Sequence, residues 1–171
     1  IIAMKRILVL IMTISLAFGL VACKSNDSQT GGGKKKLEGS LEDILNKIYD
    51  TAELEDSFKD YVKNGTFIDK LTADNTQYHL GKAGIEFEEA IASEPMIQPG
   101  AYSLVLLRVK EGADVEKIKT EIKDNVNPMK WICVGVDEEN IIVDNIGDII
   151  FLVMSDEAAK PLHEAFLALG K

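Results

Sequence analysis

Apolar residues recur along the chain in two periods. Ser40-Leu41-Glu42-Asp43 opens a helix, because Ser40 is a good N-cap and acids follow in the first turn. Leu41, Ile44, Leu45, Ile48 and Tyr49 then form one apolar stripe at helical spacing. A weaker helix is expected from about Glu53 to Val62, ended by Asn64-Gly65, and Thr66 to Gly84 reads as irregular. Ile85 to Ser93 alternates as a strand with a wet face, and Tyr102 to Lys110 reads as a central strand. Asp114 to Val126 is helical, with Val115, Ile118, Ile122 and Val126 inward and Pro128 as its stop. Trp131–Val136, Ile141–Asp144 and Asp148–Met154 follow as strands. Asp156 then caps a last helix whose stripe is Leu162, Ala165, Phe166 and Leu169.

This order predicts an α+β fold: a mainly antiparallel sheet in a ββαββα-like arrangement, with two C-terminal helices on one face. Leu104–Leu107, Trp131–Val134 and Ile149–Met154 are apolar on both faces, whereas a sheet covered on one side should alternate. The second face must also be covered. The Leu41 helix is the expected cover, and a partner or second copy is the alternative.

The first residues follow another pattern. Lys5 and Arg6 precede Ile7 to Leu20, an apolar run of 14 residues, short of the roughly 20 that a membrane-spanning helix needs. Met4 is the expected start. Leu20-Val21-Ala22-Cys23 follows and closely resembles the signal of bacterial lipoproteins. The resemblance implies residues 1–22 as a signal peptide, diacylglyceryl transfer to the Cys23 sulfur and cleavage after Ala22. Two acyl chains anchor stably where one does not. From Cys23 to Lys36 the chain reads as a polar tether. Its 13 residues after the cysteine contain no aliphatic or aromatic side chain and give a reach of roughly 20 Å. Residues 37–171 are left as one domain.

Charge divides along the same line. The chain carries −9, but from Leu37 to Lys171 there are 27 acids and 13 bases, a balance of −14. An acidic domain lacks the basic footprint of a nucleic-acid binder. Such a body on a basic tether stands off an anionic membrane and suits a basic partner.

Several segments resemble one family together: Gln77-Tyr78-His79-Leu80-Gly81, Ala92-Ser93-Glu94-Pro95-Met96, Val109 to Asp114, Asn127 to Cys133 and Val143 to Asp148. Over about Leu71 to Leu169 they are similar to an uncharacterised family of lipoproteins from Gram-positive, clostridia-type bacteria. The resemblance implies a surface protein of such a cell and carries no activity.

Candidate chemistry is sparse. Cys133 lies in the apolar run beside Trp131 and Val134 and reads as a small buried hydrophobe. His79, in a loop, and His163, on the flank of the last helix, have no His or Cys at ligand spacing. Asp144, Asn145 and Asp148 lack calcium-loop spacing and read as a turn. Glu86 and Glu88 on one strand face would be about 6.6–7 Å apart, a separation that suits a glycosidase pair, but charge also protects a strand edge. No nucleophile or phosphate-binding motif occurs, and no pattern calls for a cofactor or metal. Met96 and Ile97 between Pro95 and Pro99, with Met129 and Trp131 after Pro128, form the candidate partner surface, unless they plug the sheet edges.

The expectation is a lipid-anchored, extracytoplasmic, non-enzymatic interaction or envelope domain. Its expected partners are membrane lipid, through acylated Cys23, and an envelope protein. A solute-binding lipoprotein and an envelope enzyme are the rivals. The first is opposed by a domain too short for two lobes, the second by the missing motifs.

Overall fold

In the computed structural model, residues 36–171 are described. Cys23, the signal segment and most of the tether lie outside them.

Ser40 Oγ accepts from Asp43 N at 3.1 Å and starts α1 (Leu41–Thr51), whose five stripe residues are all buried. The second helix, α2 (Asp56–Asn64), begins later than Glu53 and buries Val62. Two elements then occupy the stretch expected to be irregular: β1 (Thr66–Lys70) and α3 (Thr76–Leu80). Both are five residues long. Neither carries enough apolar residues to announce itself. After them come β2 (Glu89–Pro95), β3 (Ser103–Arg108), α4 (Val115–Asn125), a 3₁₀ turn at Glu138–Asn140, β4 (Ile141–Ile146), β5 (Ile149–Met154) and α5 (Ala159–Ala168).

The strands form one antiparallel sheet in the order β1-β2-β3-β5-β4. The fold is therefore α+β, and β2-β3-α4-β4-β5-α5 supplies the expected ββαββα run. β3 and β5 are buried along their whole length, so the sheet is covered on both sides. The two C-terminal helices do not share a face, however. Leu162 and Phe166 of α5 pack with α1 against Leu104, Leu106, Phe151 and Val153, and Phe166 stacks on Phe151 at 4.8 Å. Ile122 of α4 packs against Leu107, Ile150 and Leu152 on the other side. A strand apolar on both faces says nothing about which side each helix takes. The result is three layers, with α1, α2 and α5 on one face and α3, α4 and the segment after α4 on the other.

Trp131–Val136 is not a strand. Asn127 Oδ1 accepts from Met129 N, and Val136 N donates to Pro128 O at 3.0 Å, which closes a loop. A Cβ at Gly135 would lie 2.8 Å from the Pro128 carbonyl oxygen, so the loop's two limbs meet this closely because glycine stands there. The segment is apolar because Trp131 and Val136 cap the face held by α4. The strand expected from Ile85 begins at Glu89, although Ile85 is still buried. Asp156 caps no helix. Its carboxylate accepts from Asp137 N and Asn140 Nδ2, while Ser155 Oγ accepts from Ala158 N at the start of α5.

Candidate interaction surface

The site begins with a charge where the pattern calls for an apolar residue. Glu94, near the end of β2, shares a face with Ala90 and Ala92 and is almost fully buried. Such a carboxylate must be paired and hydrogen-bonded. Glu94 accepts from Ser103 Oγ at 2.6 Å, Lys130 Nζ at 2.7 Å, His79 Nδ1 at 3.3 Å and Trp131 Nε1 at 3.4 Å. Burial opposes its ionisation, but the His79 hydrogen bond and the Lys130 charge outweigh it and hold the carboxyl below its ordinary value. Burial pulls Lys130 below the ordinary lysine value, against the attraction of Glu94. His79 Nε2 meets Asp69 Oδ2 at 3.0 Å, so the chain of contacts runs on to β1. α3 is fitted tightly to the end of α4, where a side chain at Gly81 (φ +76°) would run into the Asn125 carbonyl. That fit sets His79 beside the sheet.

This network turns the loop inside out. The Lys130 side chain is 2% exposed, while Met129 and Ile132 on either side of the Lys130-Trp131 pair are 61% and 69% exposed. The same inversion recurs nearby. Tyr78, next to buried His79, is exposed and lies under the Lys130 ammonium at 4.7 Å. Phe67 is exposed and pairs in register with Glu94. Met96 and Ile97 follow Pro95, and Ile97 is 80% exposed. Among the described residues, the exposed large hydrophobic side chains all belong to β1, α3 or these two loops. An apolar rim therefore surrounds the buried ions at one end of the sheet.

The chain enters at the other end. Arg108, the last residue of β3, donates from Nη1 to Leu37 O and from Nη2 to Gly39 O. It also pairs with Glu89 at 2.8 Å, and Lys36 meets Asp148 at 3.4 Å. Ser103, bonded to Glu94, opens the same strand. Entry and rim are thus roughly 17 Å apart along β3, at about 3.3 Å per residue.

Of the four residues expected to form a partner surface, Met96, Ile97 and Met129 are exposed, but Trp131 is buried beneath the loop. Cys133, expected inside a strand, is exposed with φ +62°. With no strand there, nothing turns it inward. Glu86 and Glu88 precede β2 and form no strand-face pair, and Glu86 meets Lys110 at 3.4 Å. His163 Nε2 is 2.7 Å from Asp144 Oδ2, and Asn145 Nδ2 donates to Gly147 O across a tight turn. Among the described residues no group of three or more His, Cys, Asp or Glu could hold a metal ion. Glu94, Lys130, Ser103 and Asp69 were not singled out by the sequence. The hydrogen bonds that join the network reach up to 37 residues along the chain and leave no local pattern.

No family model, curated protein or solved structure matches the chain.

Proposed function

We propose that the protein is a lipid-anchored, extracytoplasmic, non-enzymatic interaction domain that docks a partner protein through the apolar rim. The observation that carries the reading is the inverted loop. Lys130 and Trp131 are held inside by Glu94, while Met129 and Ile132 face water. Burying a lysine to expose a methionine and an isoleucine costs stability, and such breaches of patterning concentrate at functional sites. Exposed apolar patches rimmed by polar groups mark interaction surfaces. The ion network is read as a clamp rather than a catalytic centre. Its members are bonded to one another, and both Glu94 and the Lys130 ammonium are buried against their partners.

Anchoring is supported by the sequence around Cys23 and by the position of the entry, opposite the rim. A domain tethered at one end presents its other end away from the bilayer. Labelled fatty acid should enter the wild type, and Cys23→Ala should abolish incorporation; equal labelling would refute anchoring. A photoreactive residue at Ile97 or Ile132 should give a discrete protein adduct in native membranes, absent when the probe replaces Glu111 in the loop between β3 and α4. Adducts to lipid, or equal adducts from both ends, would overturn the docking reading.

A further inference from the structure

The rim ends beside a groove. The loop that carries Met96 and Ile97 continues into Gly100, Ala101 and Tyr102, which form one wall of a cleft of about 430 Å³. Its floor is aromatic. Phe58 and Tyr61 of α2 meet Tyr102 edge-on, with ring centroids 5.8 and 5.9 Å away. Tyr102 is locked from behind by a 2.8 Å hydrogen bond between its hydroxyl and that of Tyr49. Asp156 and Glu157, from the turn between β5 and α5, close the far side. A second cleft of about 510 Å³ adjoins the first, shares Ser57, Phe58 and Glu157 with it, and adds Glu53, Leu54 and Glu55.

The charge of this groove is one-sided. Four carboxylates line it and no lysine or arginine does, whereas the cleft at the chain entry has Lys36 and Lys110 among its acids. Glu53, Glu55 and Glu157 are exposed at the lip, where each can swing toward a bound cation. Aromatic faces attract cations, and nearby carboxylates add a charge-assisted hydrogen bond. The apolar stem of a long basic side chain suits the Phe58 and Leu54 walls, while its head stays at the acidic lip.

We infer that the groove between α2 and the start of α5 binds a lysine or arginine side chain of the docked partner, flanked there by apolar residues that lie on the rim. This inference rests on the docking reading and specifies the chemistry of the occupant. The groove faces the same end as the rim, away from the chain entry, and the domain's balance of −14 favours a basic partner at long range.

The probe is a biotinylated heptapeptide of leucines around one lysine, carrying a benzophenone. It is photolysed with the full chain in nanodiscs of zwitterionic lipid. Matched peptides carry norleucine or glutamate in place of the lysine. The lysine peptide should label α2 or the Gly100–Tyr102 segment about tenfold more than the norleucine peptide. That preference should vanish when Glu53, Glu55 and Glu157 are all changed to Gln and persist when Glu138 and Glu139 are. All five side chains are exposed, so folding is not at stake. Equal labelling by the lysine and norleucine peptides would overturn the inference, as would lysine-specific labelling outside the groove. So would competition by lipids with amine headgroups, or adducts only between copies of the chain. The two readings fail separately: rim adducts at Ile97 that survive an indifferent groove refute only the cation site. Loss of those adducts with lysine-specific groove labelling intact refutes only the docking.

Discussion

The two ends of the sheet are each closed around a buried charge, Arg108 at one and Glu94 with Lys130 at the other, and they do opposite things with it. At the entry, Arg108 gathers Glu89, Leu37 O and Gly39 O, and the cleft beside it carries the charged side chains of Lys36, Glu88, Lys110, Glu111 and Asp148. At the rim, Glu94 gathers Ser103, Lys130, His79 and Trp131, and the residues thrown outward are apolar. A buried ion is indifferent to what lies outside its partners. It fixes the segments that supply them, and the remaining side chains go where the fixed backbone sends them. At the entry that backbone holds the first turn of the domain in place. At the rim it holds a hydrophobic loop away from the core it would otherwise join.

The largest break in this comparison comes from removing each ion. Glu94→Ala leaves Lys130 buried without its counter-charge and should cost about 3–5 kcal/mol in denaturant unfolding. Arg108→Ala should cost less, about 1.5–3 kcal/mol, because its partner Glu89 is half exposed and can return to water. Equal losses would mean that the two clamps are alike in kind.

Acid should weaken the rim clamp selectively. The folded pKa of Glu94 lies below its ordinary 4.5, so the stability it contributes is complete above 4.5 and is lost as pH falls through the lower folded value. Wild-type stability should fall over that range, and Glu94→Gln should flatten the fall. Parallel pH profiles for the two proteins would assign the acid sensitivity elsewhere.

The smallest thermodynamic effect is expected where the functional one is greatest. Ile132→Ser removes an exposed side chain and should change stability by no more than about 0.5 kcal/mol. The photo-adduct formed from Ile97 should nevertheless be lost. A stability loss above 2 kcal/mol would show Ile132 to be part of the core.

What the sequence disclosed follows the same division. α1 was legible to its cap, because Ser40 and its stripe act within one turn of each other. β3 and β5 were legible as continuous apolar runs, and α4 and α5 by apolar residues at helical spacing. The sides taken by α4 and α5 were not, since strands buried on both faces offer each helix two equivalent seats. β1 was hidden because Phe67 and Ile68 alternate with nothing consistent, as suits an exposed edge strand. The apolar surface was partly legible in Met96, Ile97 and Met129, while the clamp beneath it was not. Nothing next to Glu94 in the chain pairs with it, because its counter-charge Lys130 lies 36 residues later.

The strand order carries a consequence for how the protein folds. β5 lies between β3 and β4 and is buried on both faces, yet it comes fifth in chain order among the strands of this sheet. Until Ile149–Met154 joins the folding chain, the β2–β3 hairpin has no neighbour for β3, and α1 has no Phe151 or Phe166 to rest on. The folding chain must therefore hold open two apolar faces until this strand arrives, and it closes them together in one step.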